Sequence, residues 1–137
     1  MSGRIEKLAC WLLPLWLAVA VPVLAWAAPP PAMATGADTA AFDELYRQLD
    51  DTELVLDSAQ DVERVLARLH ALLPPGDAAR ARRYQLMRCF YAYPEDARQG
   101  IRAADQGIAE ATAAQDGYVA SGFHMCRGTY VAQEQSS

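Results

Sequence analysis

The side chains best suited to chemistry in this 137-residue chain are two histidines, three cysteines and a few crowded carboxylates. His70 and His124 lie on different predicted helices, and the sequence places no serine or cysteine nucleophile beside either of them. His124 and Cys126 are two positions apart, so they point to different sides of a helix. We interpret both histidines as surface or boundary residues, and we predict that the chain has no catalytic residue and is not an enzyme.

The sequence also predicts no metal and no cofactor. Neither Cys89 nor Cys126 has a second cysteine or a histidine at the spacing of zinc ligands, and there is no glycine-rich phosphate loop. Asp50, Asp51 and Glu53 are crowded at a predicted helix break, where a solvated turn is favoured over a cation site.

Charge excludes a further class of partner. The formal net charge is −5, whereas non-specific binding to nucleic acid or to an anionic membrane needs a basic field. Arg80, Arg82 and Arg83 form the one basic cluster, which we interpret as a solvated helix face rather than an anion site. We therefore predict no nucleic-acid partner.

The first 27 residues have the pattern of a secretory signal peptide. Arg4 and Lys7 precede an apolar segment that ends in the small-x-small triplet Ala25-Trp26-Ala27. We predict cleavage after Ala27 or Ala28 and a periplasmic or secreted location. A retained membrane anchor is the alternative, since the apolar run is nearly long enough to span a bilayer. Residues 28–37 are rich in proline and alanine and are predicted to be an extended linker.

Cleavage would leave two cysteines, Cys89 and Cys126, in an oxidising compartment. A disulfide between them would close a loop that the chain-entropy model values at roughly 3–4 kcal/mol. The alternative is a pair of buried thiols that pack as small apolar side chains. The sequence leaves both open.

Helical periodicity dominates the rest of the chain. Phe42, Leu45, Tyr46 and Leu49 recur at the spacing of one helix face. The first predicted helix begins at residue 38 or 39 and continues, with a break near 50–51, to residue 58. The others cover 60–73, 77–93 with Asp77 as N-cap, a segment that carries residues 97–111, and 118–133 after the Asp-Gly corner at 116–117.

These elements predict an all-α fold of about five helices. Short connections make neighbouring helices antiparallel, and hairpins recurring about every 35 residues are typical of solenoid repeats. We predict a helical repeat-like domain over residues 38–133 and a tail over 134–137.

The segment 97–133, ARQGIRAADQGIAEATAAQDGYVASGFHMCRGTYVAQ, resembles the second helix of a tetratricopeptide repeat followed by the first helix of the next. Ala104, Ile108 and Ala111 match its small, bulky and small packing positions, and Gly128 matches the glycine of the following first helix. The resemblance implies antiparallel hairpins stacked as a short tetratricopeptide-like solenoid, in which these four residues pack helices together.

A second resemblance covers most of the chain after the signal segment. The aromatic helix YQLMRCFYAY (84–93) and the CRG-x-Y element (126–130) are similar to exported sensor regions of membrane-bound GGDEF-type diguanylate cyclases. It implies a truncated periplasmic front end, with the catalytic domain downstream in the full-length relative. The alternative is a free-standing secreted adaptor for protein–protein interaction.

Both hypotheses, the sensor region and the free-standing adaptor, predict a module that binds a protein or a small ligand. Most of the aromatic mass on the third helix should be core, and the rest should line a groove; the residues concerned are Tyr84, Phe90, Tyr91 and Tyr93. The last helix has no following helix in the sequence to cover its apolar face, which favours self-association. Contact with a membrane is expected only through an uncleaved N-terminal segment.

Overall fold

The computed structural model describes residues 36–93 and 95–136. The predicted signal peptide, nearly all of the predicted linker, Pro94 and Ser137 lie outside the described residues. Within them the prediction of an all-helical chain is confirmed, since there are five helices and no strand. None of these helices is both long and apolar enough to cross a membrane. The helices are α1 (Gly36–Asp50), α2 (Ala59–Ala71), α3 (Ala78–Tyr91), α4 (Ala97–Ala113) and α5 (Gly117–Gln135).

Side-chain caps set the beginnings of four helices. At each one, the side-chain oxygen of the N-cap residue accepts a hydrogen bond from the backbone N–H three positions later, which satisfies a donor that the helix cannot. The predicted cap Asp77 holds the amide of Arg80 at 3.0 Å, and Asp116 holds that of Val119 at 3.2 Å. The other two caps are Ser58 and Asp96.

The predicted continuation of the first helix to residue 58 is wrong, because α1 ends at Asp50. Thr52 adopts a left-handed backbone with φ of 55°, which no right-handed helix tolerates. The turn is closed by a hydrogen bond from the Glu53 N–H to the Gln48 carbonyl, 2.9 Å. The Arg47 guanidinium then binds the carboxylates of Asp51 and Glu53 at 3.0 and 2.9 Å. The acidic residues Asp50, Asp51 and Glu53 therefore lie at a turn, and two of them are ion-paired with Arg47 of α1.

Helix α3 packs against all four other helices and forms the centre of the described structure. It runs parallel to α1, because Asp43 pairs with Arg80 near the start of both helices and Tyr91 meets Leu49 near their ends. The Arg80 Nη2 to Asp43 Oδ2 distance is 2.6 Å, and the Tyr91 hydroxyl donates to the Leu49 carbonyl at 3.2 Å.

The arginine cluster on α3 joins helices instead of forming the predicted solvated face. Arg80 binds both Asp43 and its own N-cap, Asp77, at 2.6 Å. Arg82 lies 3.7 Å from Asp116, the cap of α5, and Arg83 lies 3.7 Å from Asp43. The first two side chains are mostly buried because their carboxylate partners sit on neighbouring elements, which a linear charge pattern does not reveal.

Helices α3 and α5 also run parallel and are joined covalently. The structure has a disulfide between Cys89 and Cys126, whose Cα atoms are 6.2 Å apart, and both residues are fully buried. Beside it the Tyr130 hydroxyl donates to the Cys89 carbonyl at 2.7 Å. The inner face of α5 is thereby fixed to the C-terminal half of α3.

Small residues let α4 and α5 pack closely. The ring of Phe123 lies against Gly107 and the ring of Tyr130 against Gly100, so the end of α5 meets the start of α4 and the two helices are antiparallel. A Cβ atom at either glycine would come within 2.4 Å of ring carbons. The stripe on α4 consists of Gly100, Ala104, Gly107 and Ala111, all buried.

The residues expected to pack the repeat fall into two groups. Ala104 and Ala111 are fully buried, and Ile108 is partly buried and packs against the core. The expected packing role of Gly128 is wrong within the described residues, because it is exposed and a Cβ there would meet nothing within 4 Å. The glycine of α5 at a close approach is Gly122, which faces Leu86 of α3.

The cap of α3 should give the fold a measurable pH dependence. The backbone N–H of Arg80, and then its guanidinium, lower the pKa of Asp77. A lowered folded-state pKa means that the stabilisation is fully present above the unfolded value of about 4 and is lost as pH falls through the folded value. We expect Asp77→Ala to cost about 1 kcal/mol at neutral pH, measured by urea unfolding.

The matched variant Asp77→Asn keeps a capping oxygen but does not titrate. It should retain most of the stability at neutral pH and flatten the acid limb of the profile. Equal pH profiles for the wild type and Asp77→Asn would contradict this account of the cap.

Candidate binding grooves

Of the residues that suggested chemistry, Cys89 and Cys126 are brought together, in the disulfide. His70 and His124 are both exposed, and the His70 ring lies 5.0 Å from the Tyr84 ring. Across the part of the chain that the structure describes, no three His, Cys, Asp or Glu side chains are arranged to hold a metal ion. The arrangement offers concave surfaces instead.

The larger surface, which we call the α2–α3 cleft, has a volume of about 790 Å³. Volumes of this size are typical of small-molecule sites. Val62 and Leu66 of α2 form one wall, and Tyr84, Phe90 and Tyr91 of α3 form the other. Its polar lining is Asp57, Ser58, Glu63 and Arg88.

The second surface, the α1–α3–α5 groove, has a volume of about 500 Å³. The end of α1, the C-terminal half of α3 and the first half of α5 line it, so its walls are the three helices that run parallel. Leu86 and Met87 form a buried floor. Tyr118 and Met125 lie at its edge on α5 and are 63% and 68% exposed.

The edge of this groove carries negative charge. Asp50 and Asp51 line it, and no basic residue does. The Tyr118 hydroxyl donates to the Asp50 carboxylate, and this bond raises the pKa of Tyr118. Burial, followed by the nearby charge of Asp50, raises the pKa of Tyr91 as well. Both phenols therefore stay protonated at neutral pH, and the negative charge at the groove edge comes from Asp50, since Asp51 is paired with Arg47.

The four aromatic residues expected to divide between core and groove are all half-buried. Tyr84 lines the α2–α3 cleft, whereas Phe90 and Tyr91 line both concave surfaces and separate them. Tyr93 lines neither and faces a smaller polar pocket between α3 and α4, with Gln85, Arg88 and Gln106.

Sequence reasoning missed three side chains of these surfaces. The sequence pattern does not indicate Tyr118 and Met125, because α5 carries apolar residues on several faces and the pattern does not distinguish its buried face from its exposed face. Arg88 was missed because its environment depends on α2, which is distant in sequence. The usable signal for Met125 is its position two residues from Phe123, on the opposite side of the helix.

Comparisons of this chain with protein-family models, with curated proteins and with solved structures found no match.

Proposed function

We propose that this chain is an exported helical binding module that holds an extended segment of a protein partner in the α1–α3–α5 groove. The observation that carries the proposal is the pair of exposed apolar side chains, Tyr118 and Met125, beside a concave surface with an apolar floor. Exposed apolar surface around a groove marks an interaction site more often than it serves stability.

A tetratricopeptide-like arrangement is part of the proposal, and two contacts support it. Asp43 of α1 pairs with Arg80 of α3, and Cys89 of α3 is bonded to Cys126 of α5, and both pairs are 37 residues apart in sequence. Successive odd-numbered helices are thus related by one interval, which is close to the period of about 34 residues in tetratricopeptide repeats. Each even-numbered helix packs against both odd-numbered helices that flank it.

The chemistry of the groove indicates what segment it would take. Met125 is flexible and polarisable, so it adapts to apolar side chains of different shapes. Asp50 at the rim would attract arginine or lysine next to that apolar residue, whereas Asp51 is already paired with Arg47. We therefore propose a partner segment with an apolar residue flanked by basic ones.

An array of labelled decapeptides tests this directly, with central Leu, Met or Phe residues and neighbouring Arg or Lys, and a second set in which Glu replaces the basic residues. We expect the basic set to bind in fluorescence polarisation and the acidic set to bind more weakly. Met125→Glu should weaken binding by at least tenfold, since it buries a charge against the apolar residue.

The matched control is Val55→Glu, which makes the same change at a residue 79% exposed and outside the groove. It should bind like the wild type. An array without a binding peptide, or equal losses in the two variants, would overturn the proposed groove.

The finer form of the proposal is that the module is a periplasmic sensor region of a GGDEF-type diguanylate cyclase, with no catalysis by this chain. Its support is the resemblance of the aromatic helix 84–93 and of the element 126–130. DNA beyond the codon of Ser137 should then encode a membrane helix and a GGDEF motif, in frame or after a frameshift. A stop codon followed by an unrelated gene would instead favour the secreted adaptor.

The adaptor form makes its own prediction about self-association. If α5 covers its outer face on a second copy, the chain should elute as a dimer in size-exclusion chromatography at micromolar concentration. A strictly monomeric and folded chain would count against this form.

A further inference from the structure

We propose that the α2–α3 cleft is a second site, which binds a short apolar zwitterion: a free apolar amino acid or a dipeptide with free ends. Its carboxylate would lie on Arg88 and its ammonium group at Asp57 and Glu63. The cleft differs from the proposed peptide groove in every lining residue except Phe90 and Tyr91.

Arg88 differs from the other arginines of α3. Arg80, Arg82 and Arg83 each lie within 4.0 Å of a carboxylate, but Arg88 pairs with none of the described carboxylates. Its Nη2 donates to the Tyr93 hydroxyl at 3.2 Å, which is the one hydrogen bond of this guanidinium within the described residues. A guanidinium has five N–H donors in a fixed fork, so enough remain for a bidentate bond to a carboxylate.

Two carboxylates balance this positive charge in the lining. Asp57 and Glu63 are exposed, and within residues 36–93 and 95–136 the side-chain carboxylate of neither makes a hydrogen bond or an ion pair. A simple anion that entered the cleft would meet both of them and be repelled. A ligand that carries an ammonium group as well as a carboxylate matches all three charged side chains.

Apolar side chains form the rest of the cleft. Val62, Leu66, Tyr84, Phe90 and Tyr91 would contact the side chains of the ligand. Sites of this kind bury an apolar body and orient it with a few polar groups. The volume of about 790 Å³ has room for a dipeptide as well as for an amino acid.

Calorimetric titration of the purified chain tests the proposal with four probes: leucyl-phenylalanine, its N-acetyl derivative, its C-terminal amide, and free phenylalanine. We expect the free dipeptide or phenylalanine to bind. Which of the two binds more tightly shows whether the ligand is a dipeptide or a free amino acid. The acetyl and amide derivatives should each bind at least tenfold more weakly, because each leaves a charged group of the cleft unpaired.

Variants assign each charge to a residue. Arg88→Gln should weaken the free dipeptide about tenfold and make the acid and the amide bind alike. The double variant Asp57→Asn/Glu63→Gln should also weaken the free dipeptide about tenfold, and it should bind the free and the N-acetylated dipeptide with similar affinity. Arg102→Gln is the matched control, since that arginine is exposed and makes no ion pair with any described residue. This variant should bind the free dipeptide with the affinity of the wild type.

Met125→Glu should leave binding of the dipeptide to the cleft unchanged. The proposed cleft site and the proposed peptide groove are therefore tested independently. The proposal is overturned if neither the dipeptide nor phenylalanine binds, if the blocked derivatives bind as well as the free one, or if Arg88→Gln still prefers the acid over the amide.

Discussion

Reduction of the bond between Cys89 and Cys126 is expected to lower the free energy of unfolding by about 3–4 kcal/mol. The two cysteines are 37 residues apart, so the bond removes much of the freedom that the unfolded chain would have between α3 and α5. Both residues are fully buried at the contact of these helices. A loss of this size is a large fraction of the stability of a small domain.

Urea unfolding of the oxidised and the reduced chain measures this loss. The double variant Cys89→Ala/Cys126→Ala is the control, because it lacks the bond and should be insensitive to reductant. Alkylation of the denatured chain followed by mass spectrometry should leave Cys89 and Cys126 unmodified in oxidised material. Two alkylated residues at these positions, with unchanged stability on reduction, would show that they are separate buried thiols.

The helical content was predictable because apolar residues recur at helical spacing and aspartates precede three of the helices. Asp77 shows this, since a good N-cap directly after the Pro-Pro-Gly segment 74–76 leaves little choice of where α3 begins. The end of α1 was not predictable in the same way. Thr52 is β-branched and such residues rarely adopt a left-handed backbone, and the accompanying ion pair joins Arg47 to Glu53, six positions later.

The grooves were less predictable than the helices. Aromatic mass on α3 indicated a concave surface, but nothing local indicates that Phe90 and Tyr91 separate two of them. The partners of Arg80 and Arg82 lie on other elements, and the absence of such a partner is what distinguishes Arg88. The local pattern of apolar and polar residues predicts the helices. The grooves and ion pairs depend instead on residues that are distant in sequence and meet only in the folded chain.

Phe123→Ala is expected to lower the free energy of unfolding by about 3–5 kcal/mol. The ring is 1% exposed and fills the space between α4 and α5, where no other side chain can replace it because the facing residue is Gly107. Thermal or urea unfolding of the purified variant measures the loss. A change below about 1 kcal/mol would mean that the helices close over the space, and the described packing would then be incorrect.

A double-mutant cycle tests whether Gly107 is present to admit that ring. A Cβ at Gly107 would lie 2.3 Å from Cε1 and Cζ of Phe123. We therefore expect Gly107→Ala to destabilise the wild type by about 1–2 kcal/mol, overpacking being partly offset by the better helix propensity of alanine. In the Phe123→Ala background the clash is absent, so the same change should be neutral or stabilising.

Gly128→Ala is the matched control, since it is on the exposed side of α5 and meets nothing within 4 Å. It should stabilise both backgrounds by about 0.5–1 kcal/mol, through helix propensity alone. If Gly107→Ala has the same effect in both backgrounds, the glycine and the ring do not interact. The close approach of α4 and α5 would then need another cause. If the effect of Gly107→Ala on the free energy of unfolding changes sign between the two backgrounds, the close approach is explained by the contact between Gly107 and Phe123.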